Sequence, residues 1–377
     1  MRDWSDTMGE FEDAVSLLEG TDQQHAEGLR TLRRMTEAGD CRACVRLGNM
    51  YLDGNGVNRD PQEGARLIKV AADRGDPEGL FVLGTLYEYG DGVEQDMRKA
   101  FECYTKASDA GSVDATYALG DLYANGAGTE KDGRKAVSLF RSAALRGNPE
   151  AQHMMGVIRR YGLEGESVDY TEAMEWFCRS AESNYAPAQC DIGEMFEMGL
   201  GVNADMEKAV KWYDLAAVNG DARALCALGY LYDSGTYFER NAKRSFECYL
   251  KAANLGDDYG QLNVAQAYMD GDGVEADPSE AFRWYSLSAA QGNPYAMTNL
   301  GNLYQTGTGT EKDLAEAVRW YEEAVEAGSA TAMFLLAEMY EKGEYVGKDL
   351  KKARKLYLMA SENGMPEARE EADRLIG

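Results

Sequence analysis

Side chains that commonly carry chemistry are scarce in this sequence. It has two histidines, His25 and His153, which lie far apart in the chain. Among its seven cysteines the only close pair is Cys41 and Cys44, without the second pair or the histidines that a structural zinc site needs. No nucleophile is accompanied by both a nearby base and an orienting group. The sequence therefore predicts free thiols, no catalytic, metal or cofactor site, and a protein that is not an enzyme.

Glycine-rich segments are the second candidates for chemistry, and Tyr268–Val274 contains the string Asp-Gly-Asp-Gly. In a calcium loop the third ligand position would fall on Val274, and the bidentate glutamate would be misplaced. A phosphate-binding loop would need a preceding strand and a following Lys-Ser/Thr, and none of these segments has both. We interpret them as turns.

Charge excludes two classes of partner. The chain has 39 Lys and Arg residues against 65 Asp and Glu residues, which gives a formal net charge of -26. Nucleic acids and anionic membranes both require a cationic surface, so neither is an expected partner. The segment Met1–Gly20 is acidic and has no apolar run typical of a signal peptide or a membrane span. We therefore expect a cytoplasmic location.

An internal repeat of 36 residues organises the chain. A Leu-Gly-like pair recurs with this spacing, except for one interval of 37 between Gly156 and Gly193. Its second member is found nine times, at Gly48, Gly84, Gly120, Gly156, Gly193, Gly229, Ala265, Gly301 and Ala337. A second series of glycines, interrupted only by Asn184, keeps the same phase. The repeat predicts nine equivalent structural units.

Each unit has the signals of two helices. The first follows a short polar cap such as Ser112 and carries apolar residues at helical spacing. After the glycine-rich turn, an aspartate precedes the second helix. Three units have an Asp-x-x-Glu pattern that predicts a reciprocal capping box, at Asp60 to Glu63, Asp277 to Glu280 and Asp313 to Glu316. The second glycine series then predicts left-handed helix ends, a conformation that Asn184 also tolerates.

The full pattern A-x3-L-G-x2-Y-x2-G-x-G-V-x2-D-x3-A-x2-W-Y-x2-A-A-x2-G is nearly complete at Ala188 to Gly220 and Ala296 to Gly328. It resembles the Sel1-like repeat family, a branch of the tetratricopeptide-like solenoids. The resemblance implies an all-α fold, a right-handed α-solenoid superhelix of nine helix-turn-helix repeats. We expect a degenerate N-terminal half-repeat at 1–39, the repeats at 40–364 and a C-terminal capping helix at 365–377.

The resemblance also implies a function, because such solenoids bind proteins, often as adaptors. By analogy with tetratricopeptide arrays, the concave binding face takes first-helix positions five and two before, and two, five and six after, the Leu of each Leu-Gly pair or its equivalent. The predicted partner-binding residues are Phe81, Tyr89, Tyr117, Asp121, His153, Arg160, Tyr161, Glu194, Tyr230, Asp233, Tyr259, Tyr295 and Phe334. This mixture of tyrosines and carboxylates favours a basic or arginine-rich segment as the ligand. Equally, the acidity could reflect only the charge of the whole chain.

Two further alternatives stay open at this point. The expected function is a scaffold or adaptor, acting as a monomer, and the other classes are a self-associating structural element and a hydrolase built on a solenoid. In the fourth unit the turn has one extra residue, and Arg159 replaces the Tyr or Phe of the other units. This irregularity is either a tolerated surface insertion or a kink that directs Arg159, Arg160 and Tyr161 toward a ligand.

Overall fold

The computed structural model describes the backbone of residues 4–375 and the side chains of residues 9–375, so residues 1–3 and 376–377 of the two expected caps lie outside it. Within this range it contains helices and no strands. The α-helices are α1 (Trp4–Leu17), α2 (Asp22–Ala38), α3 (Cys41–Asp53), α4 (Pro61–Ala72), α5 (Pro77–Tyr89), α6 (Met97–Asp109), α7 (Val113–Asn125), α8 (Gly133–Leu145), α9 (Pro149–Tyr161), α10 (Tyr170–Glu182), α11 (Ala186–Met198), α12 (Met206–Val218), α13 (Ala222–Ser234), α14 (Ala242–Asn254), α15 (Asp258–Asp270), α16 (Pro278–Ala290), α17 (Pro294–Thr306), α18 (Leu314–Glu326), α19 (Ala330–Lys342), α20 (Leu350–Glu362) and α21 (Ala368–Arg374). A short 3-10 turn occupies Leu163–Gly165.

The helices form antiparallel pairs, from α3 with α4 to α19 with α20, and these nine pairs are the nine predicted units. We call the two members of a pair the first and second helix. The chain divides into two compact units, Met1–Tyr185 and Ala186–Gly377, and within each of them every pair packs on the next. This is the all-α solenoid architecture that the repeat predicts. No helix in the described part of the chain is both long and apolar enough to cross a lipid bilayer.

Additional helices flank the repeats at both ends. The region 1–39 contains two helices, α1 and α2. They pack closely where Gly28 of α2 faces the carbonyl oxygen of Ala14 in α1. At the other end α21 packs on α20 through Ala368 and Ala372, both fully buried. Each end of the repeat array is thus covered by helical residues with a small apolar face.

Side-chain caps begin the helices as predicted. The Asp76 carboxylate accepts a hydrogen bond from the Gly79 N–H at 2.8 Å, and the Asn148 side chain accepts one from the Ala151 N–H at 2.7 Å. The second-helix aspartates act in the same way, since Asp277 accepts from the N–H groups of Ser279 and Glu280. Asn184 ends its helix with a φ of 57°, the left-handed conformation expected there.

The predicted capping boxes are wrong in one of their two bonds, because the glutamate does not accept a hydrogen bond from the N–H group of the capping aspartate. The N–H group of each capping aspartate is already donated to a carbonyl oxygen near the end of the first helix, as from Asp277 to Tyr268 at 2.9 Å. The glutamates instead pair with arginines three residues later; Glu280, for example, accepts from the Arg283 guanidinium at 2.9 Å. These aspartates therefore close the glycine-rich turn as well as capping the second helix.

A glycine of the first helix packs directly against a large side chain of the second helix. A Cβ atom added at Gly193 would lie 2.6 Å from Cε1 of Tyr213, and one at Gly84 would lie 2.5 Å from the same atom of Tyr104. Both distances are shorter than any normal carbon–carbon contact. The facing side chain is Ile68, Tyr104, Phe140, Phe177, Tyr213, Tyr249 or Tyr321 in the units that keep the glycine. The recurring glycine thus leaves room for the facing side chain in these seven units, whereas Ala265 and Ala337 occupy the position in the other two.

Removing a second-helix cap should destabilise the array locally. We expect Asp277→Ala to lower the free energy of unfolding by about 0.5 to 2 kcal/mol, because two N–H groups of α16 lose their acceptor. In a repeat array the loss should be concentrated in the neighbouring units. An equal increase of the hydrogen-exchange rates in all nine units would contradict this expectation.

Filling the space above a facing tyrosine should also destabilise the fold. We expect Gly193→Ala to cost about 1 to 3 kcal/mol, although alanine is the better helix former. Gly9→Ala in α1 is the matched control, because nothing lies within 4 Å of its added Cβ. That variant should be neutral or stabilising by up to about 1 kcal/mol. Equal effects of the two substitutions on thermal unfolding would show that the glycine–tyrosine contact is not limiting.

Candidate partner-binding surface

The predicted binding positions lie along the exposed side of the first helices, a surface that we call the first-helix surface. Several of its aromatic side chains are substantially exposed although their size favours burial. The exposed fractions are 73% for Tyr89, 58% for Tyr161, 51% for Tyr230, 46% for Tyr259 and 67% for Tyr295. Phe81, Tyr117, His153 and Phe334 are half-buried, and Arg160 is buried.

In the first of the two compact units, Met1–Tyr185, the structure brings four of the predicted residues together. Phe81, Tyr89, Tyr117 and Asp121 line one cavity of about 430 Å³ between α5, α7 and α9. Three further carboxylates, Glu88, Asp114 and Glu150, also line it. Its remaining lining residues are Thr85, Tyr104, Ala118 and Asn148. No lysine or arginine is among these residues, so the lining carries an excess of negative charge. We call this cavity the acidic groove.

Hydrogen bonds fix part of the acidic groove in place. The hydroxyl of Tyr104 donates to Oε2 of Glu88 at 2.6 Å, and Nδ2 of Asn148 donates to Oδ1 of Asp114 at 3.0 Å. Burial raises the pKa of Asp121. Burial, followed by the charge of Asp121, raises the pKa of Tyr117 to about 12. At neutral pH the Tyr117 hydroxyl is therefore protonated and available as a hydrogen-bond donor.

The sequence analysis missed the contribution of the second helices to this surface. Tyr104 belongs to α6, yet its hydroxyl reaches the Glu88 side chain on α5. The same bond joins Tyr213 to Glu197, Tyr321 to Gln305 and Tyr357 to Glu341. The signal is in the repeat itself. Units whose facing residue is Ile68, Phe140 or Phe177 have Leu52, Ala124 or Arg160 at the acceptor position. Where the facing residue is a tyrosine, this position holds glutamate or glutamine in four of six units, and Asp233 or Met269 in the other two.

The fourth unit does not contain a kink that directs Arg159 toward a ligand. Its first helix α9 has the same 13 residues as its neighbours, and the extra residue lies in the following turn. The Arg159 side chain is only 13% exposed, with Nε 2.6 Å from Oε2 of Glu172 and Nη1 2.8 Å from Oε2 of Glu166. Arg159 therefore holds the longer turn against the second helix.

A paired change at the facing position of the second helix explains why arginine is tolerated at position 159. In the third unit the residue equivalent to Arg159 is Tyr123, and the ammonium group of Lys135 lies over its ring, 4.2 Å from the centroid. The residue equivalent to Lys135 in the fourth unit is Glu172. A cation over an aromatic ring has thus been replaced by an ion pair between the same two positions.

The other predicted residues of the fourth unit are placed separately from the acidic groove. The His153 ring packs between two aromatic rings, with centroid distances of 5.5 Å to Phe177 and 5.4 Å to Tyr185. The guanidinium of the buried Arg160 lies 5.1 Å from the centroid of the exposed Tyr161 ring. His153 and Arg160 therefore contribute to packing, and Tyr161 is the member of this group that presents its ring to solvent.

In the second of the two compact units, Ala186–Gly377, the predicted residues lie in different environments. Phe334 packs on Tyr357 with a centroid distance of 5.1 Å. Glu194 lies 3.9 Å from the Arg223 guanidinium, which also contacts Asp221 at 3.4 Å. Asp233 lines a cavity of about 110 Å³, and other exposed aromatic residues of this surface lie on α13, α15 and α17. Glu194 and Phe334 thus have intramolecular partners.

One histidine and two of the cysteines have defined structural environments. The His25 ring lies between two backbone carbonyls, with Nδ1 2.8 Å from the oxygen of Leu18 and Nε2 3.1 Å from that of Gly56. Burial raises the pKa of the Cys44 and Cys103 thiols, which disfavours a reactive thiolate. Within the described part of the chain no cluster of His, Cys, Asp and Glu residues has a metal-binding arrangement.

Removing the arginine of the fourth unit should loosen its turn. We expect Arg159→Gln to cost about 1 to 2 kcal/mol, because Glu166 and Glu172 lose a shared cation. Faster hydrogen exchange should follow at residues 162–169. Arg141→Gln is the control, since among the described residues Arg141 contacts Oε1 of Glu166 alone and is 44% exposed in its side chain. A control variant that loosens the turn as much would contradict the role assigned to Arg159.

Comparisons with known proteins agree with the repeat structure. A family model described as "Sel1 repeat" matches nine consecutive segments, 41–76, 77–112, 113–148, 149–185, 186–221, 222–257, 258–293, 294–329 and 330–365. A solved structure of c5321, described as a protective antigen present in uropathogenic Escherichia coli strains displaying an SLR fold, is 30% identical. The match covers 98% of this chain and 80% of that chain, with a TM-score of 0.63.

A second solved structure, a Sel1 repeat protein from Oxalobacter formigenes, is 28% identical over 86% of this chain and 93% of that chain, with a TM-score of 0.57. None of the curated proteins compared matches this chain. The family model alone accounts for residues 41–365, which is most of the sequence. The family assignment also agrees with the packed glycines and helix caps described above. The chain therefore belongs to the Sel1 repeat family.

Proposed function

We propose that this protein is a non-catalytic interaction scaffold, and that its acidic groove binds a basic, arginine-rich segment of a partner protein. The observation that carries the proposal is the composition of the groove. Tyr89 and Tyr117 lie beside Asp114, Asp121 and Glu150, and the lining contains no lysine or arginine. An extended segment with cationic side chains complements both the shape and the charge of such a surface.

Arginine suits this groove better than a simple point charge. A guanidinium group can stack on a tyrosine ring while its N–H groups bind a nearby carboxylate. Tyr89 offers an exposed ring, and Asp121 is half-buried next to Tyr117, where a charge pair is screened less than at the open surface. The Glu88 carboxylate already accepts from Tyr104, so it contributes less to a ligand than its sequence position suggests.

Binding to a labelled octa-arginine peptide would test the groove directly. We expect the wild-type chain to bind this probe more weakly as salt rises, because exposed charges are screened. Tyr89→Ala and Tyr117→Ala should each cost about 1 to 3 kcal/mol of binding free energy if the two rings are anchors. Fluorescence anisotropy measures the affinity, and circular dichroism checks that each variant is folded. Tyr89 is 73% exposed, so its truncation should leave the fold intact.

A matched pair of charge variants separates a specific groove from general acidity. Asp114→Asn with Asp121→Asn removes two carboxylates from the groove. Glu102→Gln with Asp109→Asn removes two from α6, where both residues line a different cavity. The groove variant alone should weaken binding of the peptide. Equal weakening by both pairs would mean that the peptide responds only to the net charge of -26, and the groove would not be the binding site.

A further inference from the structure

One position of the second helix, directly before Tyr104, Tyr249 and their equivalents, changes its size along the chain. In chain order it holds Leu67, Cys103, Leu139, Trp176, Trp212, Cys248, Trp284, Trp320 and Leu356. The side chains of Trp176 and Trp284 are packed inside, since each residue is only 6% exposed. A large apolar side chain is thus normal at this position, and two repeats have a much smaller one.

The tryptophan of this position packs against the preceding pair of helices. Trp176 of α10 belongs to a buried cluster that α8 and α9 otherwise form, and this cluster includes Ala144 and Met155. Trp284 of α16 likewise shares a buried cluster with residues of α14 and α15. The indole therefore fills a space between two consecutive second helices and the first helix that connects them.

Cys248 lines a groove at the equivalent place. The groove has a volume of about 770 Å³ and is lined by residues of α12, α13 and α14. Ala217 and Leu228, which are the equivalents of Ala144 and Met155, are among these residues. We call it the Cys248 groove. It corresponds to the space that a tryptophan side chain fills in other repeats.

The volume of this space depends on the side chain at the position. Cys103 lines the equivalent groove of α4, α5 and α6, which we call the Cys103 groove and which has a volume of about 660 Å³. Where Leu67 holds the position, the cavity has a volume of about 330 Å³. The two cysteines thus leave more room than leucine does.

The two cysteine grooves have the same floor, two leucines and a tyrosine of the first helix, but different rims. At the rim of the Cys248 groove, Val218 is 83% exposed and Leu255 is 56% exposed. The equivalent residues of the Cys103 groove are Asp73 and Ala110, and Asp73 forms an ion pair with Lys69 at 2.9 Å. Exposed apolar side chains around an apolar depression are typical of an interaction site. Of the two grooves, the Cys248 groove has this property.

We propose that the Cys248 groove binds the side chain of a tryptophan that a partner protein presents. The bound indole takes the place that the chain's own tryptophan fills in other repeats, against walls of the same kind. The rim favours a tryptophan within a protein segment over a small aromatic molecule. Residues that flank the tryptophan can cover Val218 and Leu255, which a molecule confined to the floor would leave exposed to water.

The cations of the groove complement the face of an indole ring. The guanidinium of Arg179, three residues after Trp176, lies over that ring at 4.6 Å from the centroid. Lys251 lines the Cys248 groove and holds the same position, three residues after Cys248. A cation over the face of a tryptophan ring is favourable. The groove therefore has a cation at the position from which Arg179 contacts the native indole.

The carboxylates of the groove complement the edge of the ring. The indole Nε1 of Trp176 donates a hydrogen bond to Oε1 of Glu172 at 3.2 Å. Asp214 and Glu247 both line the Cys248 groove and provide acceptors of the same kind. An aliphatic side chain has neither an aromatic face nor an N–H group. The charges therefore distinguish tryptophan from leucine.

An uncharged peptide, acetyl-Ser-Leu-Trp-Leu-Ser-amide, tests the proposal when it is titrated into the full chain and followed by NMR of the backbone amides. Its tryptophan fits the floor and its leucines can cover the rim. We expect saturable shifts in α12, α13 and α14. The same peptide with leucine in place of tryptophan should bind about tenfold more weakly, because it lacks the ring and its N–H group.

Filling the groove should prevent binding. Cys248→Trp should abolish binding of the peptide, because the chain's own indole then occupies the space. Cys103→Trp is the matched control, since it makes the same change in the groove with the charged rim, and it should leave the affinity unchanged. Circular dichroism checks that both variants are folded. No saturable binding to the wild type, or equal loss of binding in both variants, would overturn the proposal.

The rim provides a second test that leaves the floor untouched. Val218→Asp should weaken binding about fivefold, because a carboxylate replaces an apolar contact. Leu145→Asp is the control, since Leu145 holds the same repeat position and is 69% exposed, but the next second helix has Trp176 in place of a cysteine. Equal weakening by the two substitutions would contradict the proposal. Binding of Nα-acetyl-tryptophan amide as tight as that of the peptide would assign the groove to a small aromatic molecule and overturn the partner assignment.

The octa-arginine peptide makes the outcome independent of the proposed function. Cys248→Trp should not change the affinity of that peptide, because the acidic groove is lined by other residues. Conversely, Tyr89→Ala should not change the affinity of the tryptophan peptide. Failure of one experiment therefore leaves the other interpretable.

Discussion

The close contact between a first-helix glycine and a second-helix side chain is the constraint on which the remaining structure depends. At Gly193 or Gly301 a methyl group would overlap the ring of Tyr213 or Tyr321. Small residues at these points let the two helices of a pair approach, and the large side chain fills the space that remains. The same contact recurs in seven of the nine units, in phase with the repeat.

The contact connects the core to the surface as well. A tyrosine that packs on the glycine extends its hydroxyl to the first helix, where Glu88, Glu197 or Glu341 accepts its hydrogen bond. Some acidic residues of the first-helix surface are therefore structural partners of buried tyrosines, since a buried hydroxyl without a partner is costly. Others, such as Asp114 and Asp121 in the acidic groove, add charge beyond that structural need.

Departures from the repeat are compensated within their own unit. Arg159 replaces an aromatic residue, and Glu172 provides the opposite charge at the position where Lys135 serves the third unit. Asp233 also departs from the pattern, and it pairs with the Arg240 guanidinium of the same unit at 3.4 Å. In both cases a residue that breaks the repeat pattern has gained an ion-pair partner within its own unit.

The sequence by itself determined the nine units, their two helices, the caps and the left-handed helix ends, because these depend on local spacing and on backbone conformation. The resemblance to tetratricopeptide arrays assigned Phe81, Tyr89, Tyr117 and Asp121 to one surface. Only the tertiary structure decided which charges are already paired. The hydroxyl bond of Tyr104 to Glu88 and the ion pairs of Arg159 both depend on distances between helices. A difference of one methylene group or one rotamer decides such contacts, and residue spacing along the chain does not encode it.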